Sequence, residues 1–213
     1  MITLFIIIAT CIVSFMAFSN GSIIDKLIFY PPAVSQERQW YRFFSCGLIH
    51  ADFGHLIFNM YAFYSFGNFV EDTFGDMFGE PTGTILYLIL YISALAVCLL
   101  PTYFQNRNNY AYRSLGASGA VSAIVFASII LNPTAGIGLI FIPGLSIPAF
   151  IFGIIYLAVS YWLDKRGGGN INHSAHLYGG LYGIIFLIIA GKIFSQYDVI
   201  AGFIFQVRSY LRM

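Results

Sequence analysis

Long apolar runs separated by more polar stretches make up nearly half of this chain, and they leave it few ways to fold. Six runs can be drawn, over about 2–18, 55–71, 84–103, 118–131, 146–163 and 174–190. With 59% hydrophobic and 9% charged residues, the chain cannot cover a water-facing surface. A soluble domain carries about 25% charged residues. Lipid is therefore the expected solvent, and in lipid every backbone N–H and C=O must be satisfied within the chain. The runs are continuous rather than alternating, which favours helices over a barrel. The expected fold is an all-α membrane protein, a six-transmembrane-helix bundle spanning 1–190 with an amphipathic tail over 191–213.

The run Ile2–Phe18 lacks a preceding Lys or Arg and approaches the length of a membrane span, so it reads as an uncleaved first helix rather than a signal peptide. A long connection, Ser19–Gly54, follows it. Connections of this length are usually functional or folded back on the body. Asn106-Arg107-Asn108-Asn109 marks a second polar loop, Asn132-Pro133 stops the fourth run, and Lys165-Arg166-Gly167-Gly168-Gly169-Asn170 reads as a flexible loop before the sixth. In the tail, Ile193, Tyr197, Ile200, Ile204, Val207 and Leu211 form one stripe, with Arg208 and Arg212 off it. That pattern suits a helix lying on the membrane; a seventh span is the alternative. A net charge of +1 without a basic run gives no footprint for nucleic acid. Cys11, Cys46 and Cys98 lack metal-type spacing.

The fourth run is short. From Ser118 to Leu131 a helix rises about 21 Å at 1.5 Å per residue, against roughly 30 Å of hydrocarbon. Ser118, in Gly116-Ala117-Ser118-Gly119-Ala120, would then start below the membrane surface, where irregular backbone must be buried or line a watery cavity. His176 heads the sixth run in Ala175-His176-Leu177-Tyr178-Gly179-Gly180. Polar groups at such depth are costly and functional by default. Gly116, Ala120, Ala123 and Ala127 on one helix, and His176, Gly180 and Gly183 with Gly179 on the other, are small-residue faces that permit close approach. Approach could make Ser118 a nucleophile and His176 its base. Ordinary close packing is the alternative.

The four histidines are His50, His55, His173 and His176. His55 and Asn59 share a helix face and can donate to a developing oxyanion beside the Ser118 N–H; they can equally cap and crosslink helices. A metal site from the four histidines is a third reading. Against it, there is no His-Glu-x-x-His pattern, and Asp52 is the one carboxylate near either pair. Glu71, in Gly67-x3-Glu71-x3-Gly75, could relay protons, but its distance from His55 favours a structural partner for a helix end or loop. Arg42 could read a substrate carboxylate; anchoring the long connection through backbone carbonyls or lipid headgroups is the favoured role. Asp164 lies too far along its helix to serve as a third catalytic member.

In order along the chain, Trp40-Tyr41-Arg42, His50-x4-His55-x3-Asn59, Gly67-x3-Glu71-x3-Gly75, Gly116-x-Ser118-Gly119 and Ala175-His176-x2-Gly179 resemble the rhomboid family of intramembrane serine proteases, bacterial type. The resemblance spans about residues 38–190. It implies a Ser118–His176 dyad without an acidic third member, with His55, Asn59 and the Ser118 N–H as oxyanion hole. It also implies that His50 shapes the first loop, and that Arg42, Glu71, Gly116, Gly119, Gly179 and Gly180 give structural support. No cofactor or metal is expected. The substrates would be transmembrane proteins cleaved in the bilayer, in a bacterial inner membrane. The rival is a non-catalytic rhomboid-like protein that binds membrane clients; such relatives lose the nucleophile or the base. This sequence departs from the family at Tyr41, where tryptophan is usual. It departs again at Ser122, where bacterial members often carry a tyrosine stacked on the catalytic histidine, so what orients His176 is open. His173 is the competing base, and the family pattern selects His176.

Orientation sets two arguments against each other. The family's topology, N-terminus in the cytoplasm and site toward the outside, leaves Lys26, Arg38, Arg42, Arg107, Arg113, Lys165 and Arg166 outside, and Lys192, Arg208 and Arg212 inside. The positive-inside rule predicts the reverse. Charges of the long connection that belong to a folded element weaken the rule, so the family's orientation is expected.

Overall fold

The computed structural model describes residues 1–138, 146–167 and 171–212. Residues 168–170, part of the loop expected before the sixth span, lie outside the described residues, as do 139–145 and 213.

Helix α1, Ile2–Phe18, matches its expected bounds and is packed inside out by the standards of a soluble protein. Its buried positions are Thr3, Thr10, Ser14 and Ala17, while Phe5 is 72% exposed and Ile12 56%. Small and hydroxyl-bearing residues face the neighbouring helices and large apolar ones face outward, as expected of a helix solvated by lipid.

The connection after α1 is folded rather than a loose loop. It holds α2 (Gly21–Leu27), α3 (Pro31–Glu37), α4 (Arg42–Ser45) and a 3-10 turn, Cys46–Leu48. Asn20 caps α2 through the Ser22 N–H at 3.1 Å. Pro31 and Pro32 open α3, where a missing N–H costs nothing.

Helix α5, Phe53–Phe78, starts where the Asp52 carboxylate accepts the His55 N–H at 2.8 Å and stops at Gly79, φ 71°. It outruns the expected 55–71 at both ends: the Asp52 cap starts it two residues early, and a partnered Glu71 lets it continue past 71. The expected span 84–103 is α6, Thr82–Val97, followed by α7, Leu100–Asn106, with Pro101 in the first turn of α7. Helix α8, Ser118–Leu131, is as expected; none of its residues is exposed. Ser146–Pro148, expected to begin the fifth span, instead forms strand β2, antiparallel to β1 at Gly136–Gly138; helix α9 is Ala149–Arg166. Helix α10, His173–Phe194, runs through the expected limit at 190, and α11, Val199–Leu211, follows. The tail is docked: Val199 is buried beside Gly191, and Gln206 Nε2 donates to the Leu131 carbonyl at 3.3 Å.

The core is built around α8, which packs on α5, α6, α9, α10 and α11, most extensively on α10. Among the described residues, Thr82–Asn106 and His173–Phe194 are long and apolar enough to cross a membrane.

Candidate active site

Ser118 is the first residue of α8, and the chain enters it through Gly116 at φ 110°. A left-handed entry of this kind suits glycine alone. Gly116 therefore lies before the helix rather than on its small-residue face: positive φ breaks the periodicity that the spacing with Ala120 implied. A Cβ at Gly116 would sit 2.8 Å from His55 Cε1, so the glycine also makes room for that ring. The Gly116 N–H donates to the Cys46 carbonyl at 2.9 Å, and Ser114 pairs with Phe29 through both backbone bonds. These ties hold the approach to Ser118 against the folded connection. No side chain caps α8, so donors of its first turn remain available to a ligand.

On the other side, the Asn172 side chain caps α10, accepting from the Ala175 N–H at 3.0 Å and from Thr102 Oγ1 on α7 at 3.2 Å. Four residues further on, α10 meets α8 backbone to backbone. A Cβ on Gly179 would collide with the Gly119 carbonyl, and one on Gly183 with the Ala123 carbonyl. Gly180 lies against the Phe126 ring, 2.7 Å from an added Cβ. This approach brings His176 Nε2 to 2.8 Å from Ser118 Oγ. A hydroxyl and an imidazole at that separation can exchange a proton, the requirement for base-assisted attack. The His173 ring stands edge-on to His176, centroids 5.9 Å apart, and makes no bond to Ser118.

His55 lies across Gly116 from the dyad. Its Nδ1 accepts the Ala51 N–H at 3.5 Å, which places the ring proton on Nε2, the ring nitrogen that faces Gly116. Asn59 is buried one turn along α5 and spends one amide hydrogen on the His55 carbonyl at 2.9 Å. His50 is wholly buried, and its ring meets that of His55 at 5.0 Å. Ser14 donates to the Leu48 carbonyl at 2.9 Å, so it accepts from His50 Nδ1 at 3.0 Å; His50 thereby ties α1 to the connection. Burial first, and His55 second, hold the His50 imidazole down at about 3, so it stays neutral.

Arg42 is 8% exposed and donates through Nη1 to the Asp25 and Ile28 carbonyls at 2.9 and 2.7 Å, and through Nε to Gln39. It is bound up in the connection and away from the dyad. Glu71 accepts the Ile2 and Thr3 N–H groups at 2.6 and 2.9 Å and the Thr3 hydroxyl at 2.7 Å. It closes the first turn of α1, with the Met1 ammonium 2.5 Å away.

A cavity of about 20 Å³ adjoins Ser118, lined by Cys46, Cys98, Ser114, Gly119 and Asn172 among others. That is room for about one water. The Asn172 Nδ2 is buried without a partner. Burial pushes the Cys46 thiol up to about 12, so it is no rival nucleophile. Among the described residues no three of His, Cys, Asp and Glu are grouped to hold a metal.

Sequence reasoning missed Tyr156 of α9. Its ring lies 6.2 Å from that of His176, tilted 34°, and its hydroxyl meets Ser122 Oγ at 2.7 Å. The one available signal was a tyrosine alone within the apolar stretch Ile154–Val159.

Residues 37–193 match the Rhomboid domain. The chain is 35% identical over 138 residues to the RHOMBOID-like protein 12, mitochondrial, of Arabidopsis thaliana, covering 61% of this chain and 40% of that one. It is 27% identical over 197 residues to the Rhomboid protease GlpG of Haemophilus influenzae, covering 88% of this chain and 90% of the relative. The Danio rerio Presenilin-associated rhomboid-like protein A, mitochondrial, is 25% identical over 134 residues, which is 62% of this chain and 33% of the relative. The chain thus spans less than half the length of the plant and fish proteins and nearly all of the Haemophilus one.

Proposed function

The chain belongs to the rhomboid family of helical membrane proteins, and on that premise we propose that it is an intramembrane serine protease working through a Ser118–His176 dyad. The family holds both proteases and inactive relatives, so the reading rests on this chain's own residues. The observation that carries it is the 2.8 Å contact between His176 Nε2 and Ser118 Oγ at the head of a largely buried helix with no side-chain cap.

Ser118 Oγ attacks the scissile carbonyl of a transmembrane substrate while His176 Nε2 takes its proton. The charge that builds on the carbonyl oxygen is met by the Ser118 N–H, His55 Nε2–H and the remaining Asn59 amide hydrogen. His176 then protonates the leaving amine, and a water deprotonated by the same imidazole releases the acyl group. Donors already held in place act with little reorganisation as the charge develops.

The same reading makes the helices α1, α5, α6, α8, α9 and α10 six spans. Residues 1–190 form the membrane unit, and 191–213 an appended amphipathic tail. We favour a bacterial inner membrane, since the likeness to the Haemophilus protein runs nearly end to end. The family's orientation puts the Ser118 end of α8 toward the outside. The packing of Arg42 into the folded connection supports discounting its charge there.

The test is labelling of the detergent-purified protein with a fluorophosphonate serine probe, alongside cleavage of a transmembrane substrate. Ser118→Ala should abolish both, His176→Ala should abolish cleavage, and His173→Ala should keep most of it. A chelator should change nothing. Cleavage by Ser118→Ala would defeat the reading, and loss with chelator reversed by zinc would replace it with a metal-dependent one. An unreactive wild-type protein would favour the client-binding alternative.

A further inference from the structure

His176 is the base of the proposed dyad, and among the described residues no carboxylate bonds its second ring nitrogen. Its orientation must then come from packing. Two rings flank it. That of His173 stands perpendicular and lies on the same helix, so it cannot register α10 against anything else. That of Tyr156 comes from α9 and is itself fixed at both ends. The hydroxyl is held by Ser122 at 2.7 Å, and the ring packs on Phe126 at 5.5 Å and Phe152 at 5.8 Å.

The hydrogens in this contact can be assigned. Ser122 Oγ donates to the Ser118 carbonyl at 2.8 Å, which spends its one proton. Tyr156 must therefore donate to Ser122. The result is a relay of contacts from the Ser118 backbone through Ser122 to the Tyr156 ring and onto His176, crossing α8, α9 and α10. Both the nucleophile's turn and the face of the imidazole are referred to one side chain. A tyrosine has two rotatable bonds, and here both ends of it are held, so the ring it presents is fixed at small entropic cost.

We propose that Tyr156 is the positioning residue of this site: anchored to the Ser118 turn through Ser122, it sets the plane of the His176 ring from the neighbouring helix α9. The inference rests on the protease reading above and assigns what holds its base in line. Tyr156 touches neither substrate nor the reacting atoms; it acts through His176. Misplacement of a reacting group by about 1 Å costs about 10²-fold in rate, which sets the scale of the expected effect.

The experiment is steady-state cleavage by Tyr156→Ala, Tyr156→Phe, Ser122→Ala and the Ser122→Ala/Tyr156→Phe pair, with thermal stability measured on each. Tyr156→Ala should lose about 10²-fold in kcat, with KM within about twofold. Tyr156→Phe and Ser122→Ala should each lose several-fold. The pair should be no worse than the poorer single variant, because both remove one contact. Ser122→Tyr combined with Tyr156→Ala returns a ring to the vacated space from α8 and should recover kcat. Wild-type kcat in Tyr156→Ala, or fully multiplicative losses in the pair, would overturn the inference. If Tyr156→Ala does not fold, Tyr156→Phe and the pair decide. An active wild type with unaffected variants defeats this inference alone; a wild type inert to both substrate and fluorophosphonate defeats it together with the protease reading.

Discussion

The junction between α8 and α10 and the connection between α1 and α5 both shape the site, and they are held by opposite means. At the junction, glycine removes side chains so that backbone meets backbone: Gly179 on the Gly119 carbonyl, Gly183 on that of Ala123. In the connection, polar side chains fasten short helices through carbonyl oxygens: Arg42 to Asp25 and Ile28, Ser45 to Leu27, and Ser14 to Leu48. The first has no slack, since any added atom meets main chain. The second is a set of separate bonds, each removable without moving the others. Precision should therefore fail all at once at the junction and piecemeal in the connection.

The harshest test of that contrast is Gly179→Val. The new side chain has no space against Gly119, so the Ser118–His176 distance cannot be kept. We expect cleavage and fluorophosphonate labelling to vanish and the melting temperature to fall. Near-normal activity would mean that the helices can part without loss, and the contrast would collapse. A smaller effect, confined to chemistry, is expected of Asn59→Ala, where the connection has ended and α5 begins to serve the site. Losing one oxyanion donor lowers kcat by about 10²–10³-fold, with KM and thermal stability near wild type. A wild-type kcat would remove Asn59 from the proposed hole. The mildest effect on turnover should come from Arg42→Ala. Hydrogen bonds to a charged group contribute about 1.5–3 kcal/mol each. The variant should therefore melt earlier, while kcat at low temperature stays within a few-fold. A loss of activity as deep as that of Gly179→Val would show that the connection, too, behaves as a single rigid piece.

What the sequence made legible follows from range along the chain. Apolar runs with clear stops, such as Ile2–Phe18 and Ser118–Leu131, have the bounds expected of them, because hydropathy and local stops there point the same way. Helix α5 is longer than expected because hydropathy ends at Glu71 and Asp72, while the helix runs on to Gly79. The charge of Glu71 is absorbed by the first turn of α1, a contact 68 and 69 residues distant that no local window contains. The spacing of Gly116 with Ala120 is that of one helix face, but spacing carries no φ, and Gly116 lies before the helix at φ 110°. Tyr156 lies 34 residues from Ser122 and 20 from His176, and only the placement of α9 beside α8 and α10 makes the three neighbours. Small residues around Ser118 and at the head of the sixth run allow a close approach of the two helices, but the choice of His176 over His173 comes from the family's Ala-His-x2-Gly pattern.

One consequence of the sheathing of α8 concerns the bilayer itself. A 14-residue helix facing lipid would be badly mismatched to it, and the membrane would have to thin or the helix be extended. Of α8 only Ser118, Ile130 and Leu131 are even partly exposed, so little of that mismatch is presented to lipid. On the proposed reading, the surrounding helices meet the bilayer, and any change in its thickness is taken up by their tilt. The depth of Ser118 is then a property of the protein, and the same site can work in membranes of different thickness.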